Sequence, residues 1–170
     1  MAQVVALSGF MGSGKSTVGP LVARSLGWRF VDLDAEIERR EGRAIGRIFD
    51  EDGESGFRLV EERVLEDLVD ETEEAGDLVI ALGGGTVTIP GARELVRGRV
   101  RVVFLDTPTA VAWERARSSG RPLATAEEAF VRLAAERDVV YRSTADVVVS
   151  TAGLPAAAVA QRVVEALAAL

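Results

Sequence analysis

The chain contains neither cysteine nor histidine, and each absence removes a chemistry. Without thiols there is no disulfide framework and no zinc–thiolate site. Without imidazole the commonest transition-metal ligand and the commonest general base are both missing. Any catalytic metal must therefore use oxygen ligands. No apolar stretch approaches the roughly 20 residues that span a bilayer, and Met1 to Phe10 lack the basic start and small-residue cleavage site of a leader. A cytoplasmic location is expected. Positive charge is also scarce, with 20 Lys and Arg against 27 Asp and Glu and a formal net charge of −7. Nothing here would draw the chain onto nucleic acid or an anionic membrane. What is present, 170 residues that are 48% hydrophobic and 28% charged, suits one domain over residues 1–170 with a full core.

Short apolar runs alternate with longer segments of helical period, the pattern of a parallel sheet covered by helices on both faces. The runs are Val4–Ser8, Phe30–Asp34, Leu78–Leu82, Val102–Asp106 and Asp146–Ser150. The spacing predicts an α/β fold, a three-layer α/β/α sandwich. Apolar residues three and four apart, Phe57, Val60, Val64 and Leu68, then Val159, Val163 and Leu167, mark helices. Gly27, Pro90-Gly91, Pro108 and Pro155 supply the punctuation. The stretch from Ser118 to Ala126, small and polar between two helical patterns, has the composition of a lid or of a plain surface loop.

The strongest chemical signal is Gly9-Phe10-Met11-Gly12-Ser13-Gly14-Lys15-Ser16-Thr17, a complete G-x-x-x-x-G-K-[ST] loop between an apolar strand and a helix. Glycine lets the loop curl until successive N–H groups point inward at phosphate oxygens, and the following helix adds its positive end. Lys15 is placed to neutralise β- and γ-phosphates, and the Ser16 hydroxyl suits Mg²⁺. Asp32 and Asp34, two residues apart, are expected on one face at the carboxyl end of the second strand, where ligands of such sheets gather. Asp32 would serve the metal and Asp34 the acceptor hydroxyl, although an aspartate here can also cap the next helix. Asp106 is a rival metal partner, with a turn or cap as its ordinary role. Gly83-Gly84-Gly85, at the end of the third run, imply close approach by a ligand or another backbone.

Arg58 has Glu61 and Glu62 within helical reach. Arg137 shares a stripe with Phe130, Ala134 and Tyr141, so its guanidinium sits on an otherwise apolar face. Guanidinium forks bind carboxylates at two points, and Arg58 with Arg137 could hold an acid substrate beside the transferring phosphate. Arg121, inside the lid-like stretch, is placed to fold over the phosphates.

Taken together these motifs resemble the shikimate kinase family over nearly the whole chain: the loop Gly9–Thr17, Asp32-x-Asp34, Phe57-Arg58-x-x-Glu61, Gly83-Gly84-Gly85, Arg121-Pro122-Leu123 and Arg137-x-x-x-Tyr141. The resemblance implies a five-stranded parallel sheet in the nucleoside-monophosphate-kinase-like form of the P-loop kinase fold. It also implies phosphorylation of the shikimate 3-hydroxyl by ATP, on the route to aromatic amino acids, by a monomer that needs Mg²⁺. Carried over by position, it assigns Gly12, Ser13, Gly14, Lys15, Ser16 and Thr17 to ATP phosphates and Ser16 to the metal, with Asp32 in the metal's outer shell. Asp34, Arg58, Arg137 and the glycines Gly83, Gly84 and Gly85 go to shikimate, and Lys15, Asp34 and Arg121 to catalysis. Either Arg115 or Arg117 would stack on adenine, with Arg115 preferred, and Pro155 would touch it. The chain departs from the family in Ala124, where a second leucine usually follows Arg-Pro-Leu, and in a lid one residue shorter.

The alternatives are another small-metabolite kinase of the same fold, such as a gluconate or nucleoside-monophosphate kinase, and a nucleotide switch without an acceptor. The first would not need two carboxylate-binding arginines. The second would not need Asp34, and a GTP switch would carry an N-K-x-D run, which does not occur.

Overall fold

In the computed structural model, which describes residues 3–118 and 126–170, five strands form one parallel sheet: Val4–Ser8 (β1), Arg29–Asp32 (β2), Leu78–Ala81 (β3), Arg101–Asp106 (β4) and Val147–Ser150 (β5), in the order β2-β3-β1-β4-β5. The central strands read as unbroken apolar runs because both of their faces are covered. Ala6, Ile80, Val102 and Phe104 point to one core, while Val5, Leu7, Val79, Val103 and Leu105 point to the other. The edge strands β2 and β5 are only partly buried.

The helices are Lys15–Leu26 (α1), Leu33–Glu41 (α2), Ile45–Asp70 (α3), Thr72–Ala75 (α4), Pro90–Arg99 (α5), Thr109–Ser118 (α6), Glu127–Thr144 (α7) and Ala156–Ala168 (α8). Their apolar stripes set the layers. Val18, Val22, Val159 and Val163 carry α1 and α8 onto one face, and Val64, Leu68, Val96 and Phe130 carry α3, α5 and α7 onto the other. Gly27, left-handed at φ 73°, ends α1, and Trp28 N–H bonds back to the Ala23 carbonyl at 2.9 Å. A break at Gly53 (φ 71°, ψ −179°) divides α3.

Two features of this topology make the site. The chain leaves β1 for α1 on one face and β3 for α5 on the other, which opens a crevice between the carboxyl ends of these neighbouring strands. Leu7 is in register with Ala81, so Gly9 and Gly83, each two residues further on, leave the sheet at the same level. The second run is shorter than its composition suggests. Strand β2 stops at Asp32, whose carboxylate Oδ1 accepts from Asp34 N–H (3.1 Å) and Ala35 N–H (3.3 Å). Asp32 is thus the cap of α2 and Asp34 lies in its first turn, so the expectation that strand alternation sets the pair is corrected.

Candidate active site

At the mouth of the crevice the phosphate loop is bent by glycines in left-handed conformations. Gly12 shows why no other residue serves: its φ is +80°, and a Cβ there would sit 2.3 Å from the Ala112 carbonyl oxygen. Ser13 N–H closes the turn on the Phe10 carbonyl at 3.2 Å. Gly14, the cap of α1, offers no side-chain acceptor, which leaves the first N–H groups of the helix open to an anion.

Lys15 is buried and lies across the loop, its Nζ donating to the carbonyls of Gly9 (2.6 Å) and Phe10 (3.1 Å) and to Ser13 Oγ (3.2 Å). Ser16 Oγ donates to Asp32 Oδ2 at 2.5 Å. Asp32 therefore does two tasks at once, capping α2 with one oxygen and turning the Ser16 lone pairs outward with the other. Loop, carboxylates and Leu82 enclose a cleft of about 210 Å³ that also includes Asp34, Gly84 and Arg115. Arg115 Nη1 donates to the Gly12 carbonyl at 3.3 Å, whereas Arg117, two residues on, pairs with Glu114 at 2.6 Å. Of the two candidate arginines, Arg115 is the one on the cleft.

The donors available to a cation here are the Ser16 hydroxyl and the carboxylates of Asp32 and Asp34. Among the described residues, no three His, Cys, Asp or Glu side chains converge as a metal cage. An all-oxygen set of few protein ligands fits Mg²⁺, which completes its octahedron with phosphate oxygens and water.

The second half of the site is built around the glycine triplet. Glu61, 1% exposed, accepts from Arg58 Nη1 at 2.7 Å and from Thr86 Oγ1. This buried carboxylate locks the Arg58 guanidinium, which also lies 5.3 Å from the Phe57 ring centre. Glu62, also within helical reach of Arg58, instead lies against Gly91 at the start of α5. On the other side Arg137 Nη1 donates to the Gly84 carbonyl at 3.2 Å, and its guanidinium stands 5.7 Å from the centre of the Phe10 ring. Tyr141 also donates to the Gly84 carbonyl. Burial pushes its phenol up to about 12, against the opposing pull first of Arg137 and then of Arg58, so the hydroxyl keeps its proton.

None of the three glycines has a positive φ, so Gly83 and Gly85 are there for space, whereas a Cβ on Gly84 would make only ordinary contacts. A Cβ on Gly83 would meet Glu61 Oε1 at 2.7 Å and Asp34 Oδ1 at 3.0 Å, and one on Gly85 would meet Arg58 Nη2 at 2.6 Å. Gly85→Ala should therefore fold, with a thermal midpoint within about 3 °C of wild type, yet raise KM for an acidic acceptor roughly tenfold by displacing Arg58. Steady-state kinetics with each substrate varied in turn, beside a melting curve, checks this. An unchanged acceptor KM would show that the guanidinium moves aside without consequence.

Asp106 pairs with Arg142 at 2.9 Å. It lines a different cavity of about 370 Å³, bounded by α6 and α7, that contains none of Lys15, Ser16, Asp32 or Asp34. Although larger, that cavity holds its charges already paired, Arg142 with Asp106 and Asp138, and offers no phosphate cradle. Arg121, with the rest of the lid stretch from 119 to 125, lies outside the described residues. Pro155 caps α8. Sequence reasoning assigned no role to Phe10 or Tyr141 and gave Glu61 only as an acid within helical reach of Arg58. The available signals were the place of Phe10 inside the loop, the single tyrosine one turn beyond Arg137, and the acid three residues after Arg58.

A family model described as shikimate kinase matches residues 11–168. The chain belongs to the shikimate kinase family. A shikimate kinase of Halorhodospira halophila is 48% identical over 165 residues, 95% of this chain and 91% of that protein. One from Pseudoalteromonas translucida is 45% identical over 166 residues, 95% of this chain and 94% of its own length. Among solved structures, shikimate kinase from Acinetobacter baumannii in complex with shikimate superposes with a TM-score of 0.90 at 37% identity, covering 99% of this chain and 94% of that one. Shikimate kinase from Aquifex aeolicus gives 0.83 at 37% identity over 98% and 97% of the two chains. The fold is that of the P-loop kinases, and the activity of this family is ATP-dependent phosphoryl transfer to a hydroxyl of shikimate.

Proposed function

We propose that the chain transfers the γ-phosphoryl group of ATP to the 3-hydroxyl of shikimate, with the loop Gly12–Thr17 holding the phosphates and Arg58 and Arg137 holding the shikimate carboxylate. The observation that carries this reading is the placement of two chemistries side by side. Phosphate-directed amides and Lys15 line the cleft together with Gly84, and two guanidinium groups lie against the glycine triplet, Arg137 on the Gly84 carbonyl and Arg58 beside Gly85.

Lys15 would exchange its bond to Ser13 Oγ for one to a phosphate oxygen while Gly9 and Phe10 keep it in place. Asp34, which lines the cleft and lies beside Gly83, accepts a hydrogen bond from the 3-hydroxyl, orients its lone pair at the γ-phosphorus and takes the proton as that oxygen attacks. The bond from the γ-phosphorus to the β,γ-bridging oxygen breaks, and ADP leaves with that oxygen. Mg²⁺, held by Ser16 directly and by Asp32 through its outer shell, would supply charge neutralisation at the β- and γ-oxygens. By resemblance, Arg121 in a lid over residues 118–126 meets the transition-state charge and Arg115 lies against adenine. The same reading takes residues 1–170 as one domain, a cytoplasmic monomer that works on ATP and shikimate without nucleic acid or membrane. Among the described residues no helix is long and apolar enough to cross a bilayer.

The test offers shikimate, gluconate and AMP separately to the purified protein with ATP and Mg²⁺ and follows ADP release. Shikimate alone should support turnover, with the ³¹P spectrum of the product showing a monoester on the 3-oxygen. Turnover with gluconate or AMP but not shikimate would overturn the assignment of acceptor.

A further inference from the structure

We propose that Tyr141 is a positioning residue for the acceptor half of the site, its hydroxyl proton holding the Gly84–Gly85 peptide in the orientation that presents Arg137 to the substrate carboxylate. This rests on the acceptor reading above and extends it to a residue that touches neither substrate.

Three glycines in a row have no side chains to hold them and the widest conformational freedom of any tripeptide. Something outside the triplet must order it. Both donors to its central carbonyl come from α7: Tyr141 Oη and, one turn earlier, Arg137 Nη1 at 3.2 Å. A carbonyl oxygen has two lone pairs, so this pair of donors saturates it. The peptide is planar and trans, so fixing the Gly84 C=O toward α7 also sends the Gly85 N–H to the opposite side.

The tyrosine is itself well held. It is 1% exposed, and its ring stacks on Phe104 of β4 with centroids 5.2 Å apart and planes 27° from parallel. With the ring anchored to the sheet, the hydroxyl has little freedom to follow a wandering glycine, and a proton retained far above neutral pH makes it a donor throughout the working range. Arg137 gains directly. With the Gly84 oxygen fixed by a neutral partner, one guanidinium nitrogen donates to it while the group lies over the Phe10 ring and is hydrogen-bonded to the Tyr141 hydroxyl, and further N–H donors of its five serve a carboxylate. The cost of ordering this loop is then met before substrate arrives, which is where preorganisation yields affinity.

Tyr141→Phe keeps the ring and removes the proton. The expected result is a five- to tenfold rise in KM for shikimate, with KM for ATP and kcat within twofold of wild type and lower ¹⁵N order parameters at Gly84 and Gly85. Parallel rises in both KM values, or a lower melting temperature with both KM values unchanged, would reduce Tyr141 to a core side chain and overturn the proposal. A second measurement needs no variant, because this is the chain's single tyrosine. Biosynthetic 3-fluorotyrosine gives one ¹⁹F resonance, which should move on titration with shikimate and stay in place with gluconate. A resonance indifferent to shikimate, in a preparation that still phosphorylates it, would overturn the proposal while leaving the acceptor assignment intact. Failure of the wild-type protein to phosphorylate shikimate would instead remove the assignment on which the proposal stands.

Discussion

Lys15→Ala should lose at least about a thousandfold in kcat while keeping its fold, the largest effect expected of any single change outside the loop glycines. A thousandfold is roughly 4 kcal/mol of transition-state stabilisation, the share expected of a full positive charge aimed at the bridging region of a triphosphate from a buried side chain. The side chain is buried in the loop it serves and is positioned by the carbonyls of Gly9 and Phe10. Its charge therefore needs little reorganisation when the phosphates build theirs. The fold should survive because the loop is closed by backbone bonds, Ser13 to Phe10 and Val18 to Gly14, that do not involve the amine. Circular dichroism and a melting curve establish folding, and a single-turnover assay measures the loss. A folded Lys15→Ala protein with more than a tenth of wild-type turnover would contradict the charge-neutralising role.

Arg137→Ala should raise KM for shikimate about a hundredfold and change KM for ATP less than twofold. Two charge-assisted hydrogen bonds to a carboxylate at about 1.5 kcal/mol each give that factor. The Gly84 carbonyl keeps Tyr141 as a donor, so the variant loses the acceptor's grip without orphaning the glycine. Equal rises in both KM values would place Arg137 outside the acceptor pocket.

Much of this arrangement was legible in the sequence because local chemistry dictated it. A loop of glycines, Lys15 and Ser16 between a strand and a helix has one economical explanation, and Val4–Ser8 reads as an unbroken apolar run because β1 is covered on both faces. The alternation of Phe30, Asp32 and Asp34 was misleading. It continues past the end of β2 without a change of period, and only the Asp32 carboxylate turning back onto the amides of Asp34 and Ala35 shows that α2 has begun. Gly83 to Gly85 were legible as a place of close approach, but not what approaches. Asp34, Glu61 and Arg58 arrive there from residues far earlier in the chain, and such contacts leave no periodic trace. Arg115 and Arg117 could not be separated by composition. Two residues apart on α6 they point to different sides, one to Gly12 and one to Glu114.

The most direct measurement compares shikimate with its methyl ester, which keeps every hydroxyl and removes the charge that the two arginines are said to grip. In the wild-type protein KM for the ester should exceed that for the acid by about a thousandfold, and in Arg137→Ala the gap should shrink to about tenfold, the part left to Arg58. Equal KM values for acid and ester in the wild-type protein would contradict the claim that guanidinium groups hold the acceptor beside the phosphate loop.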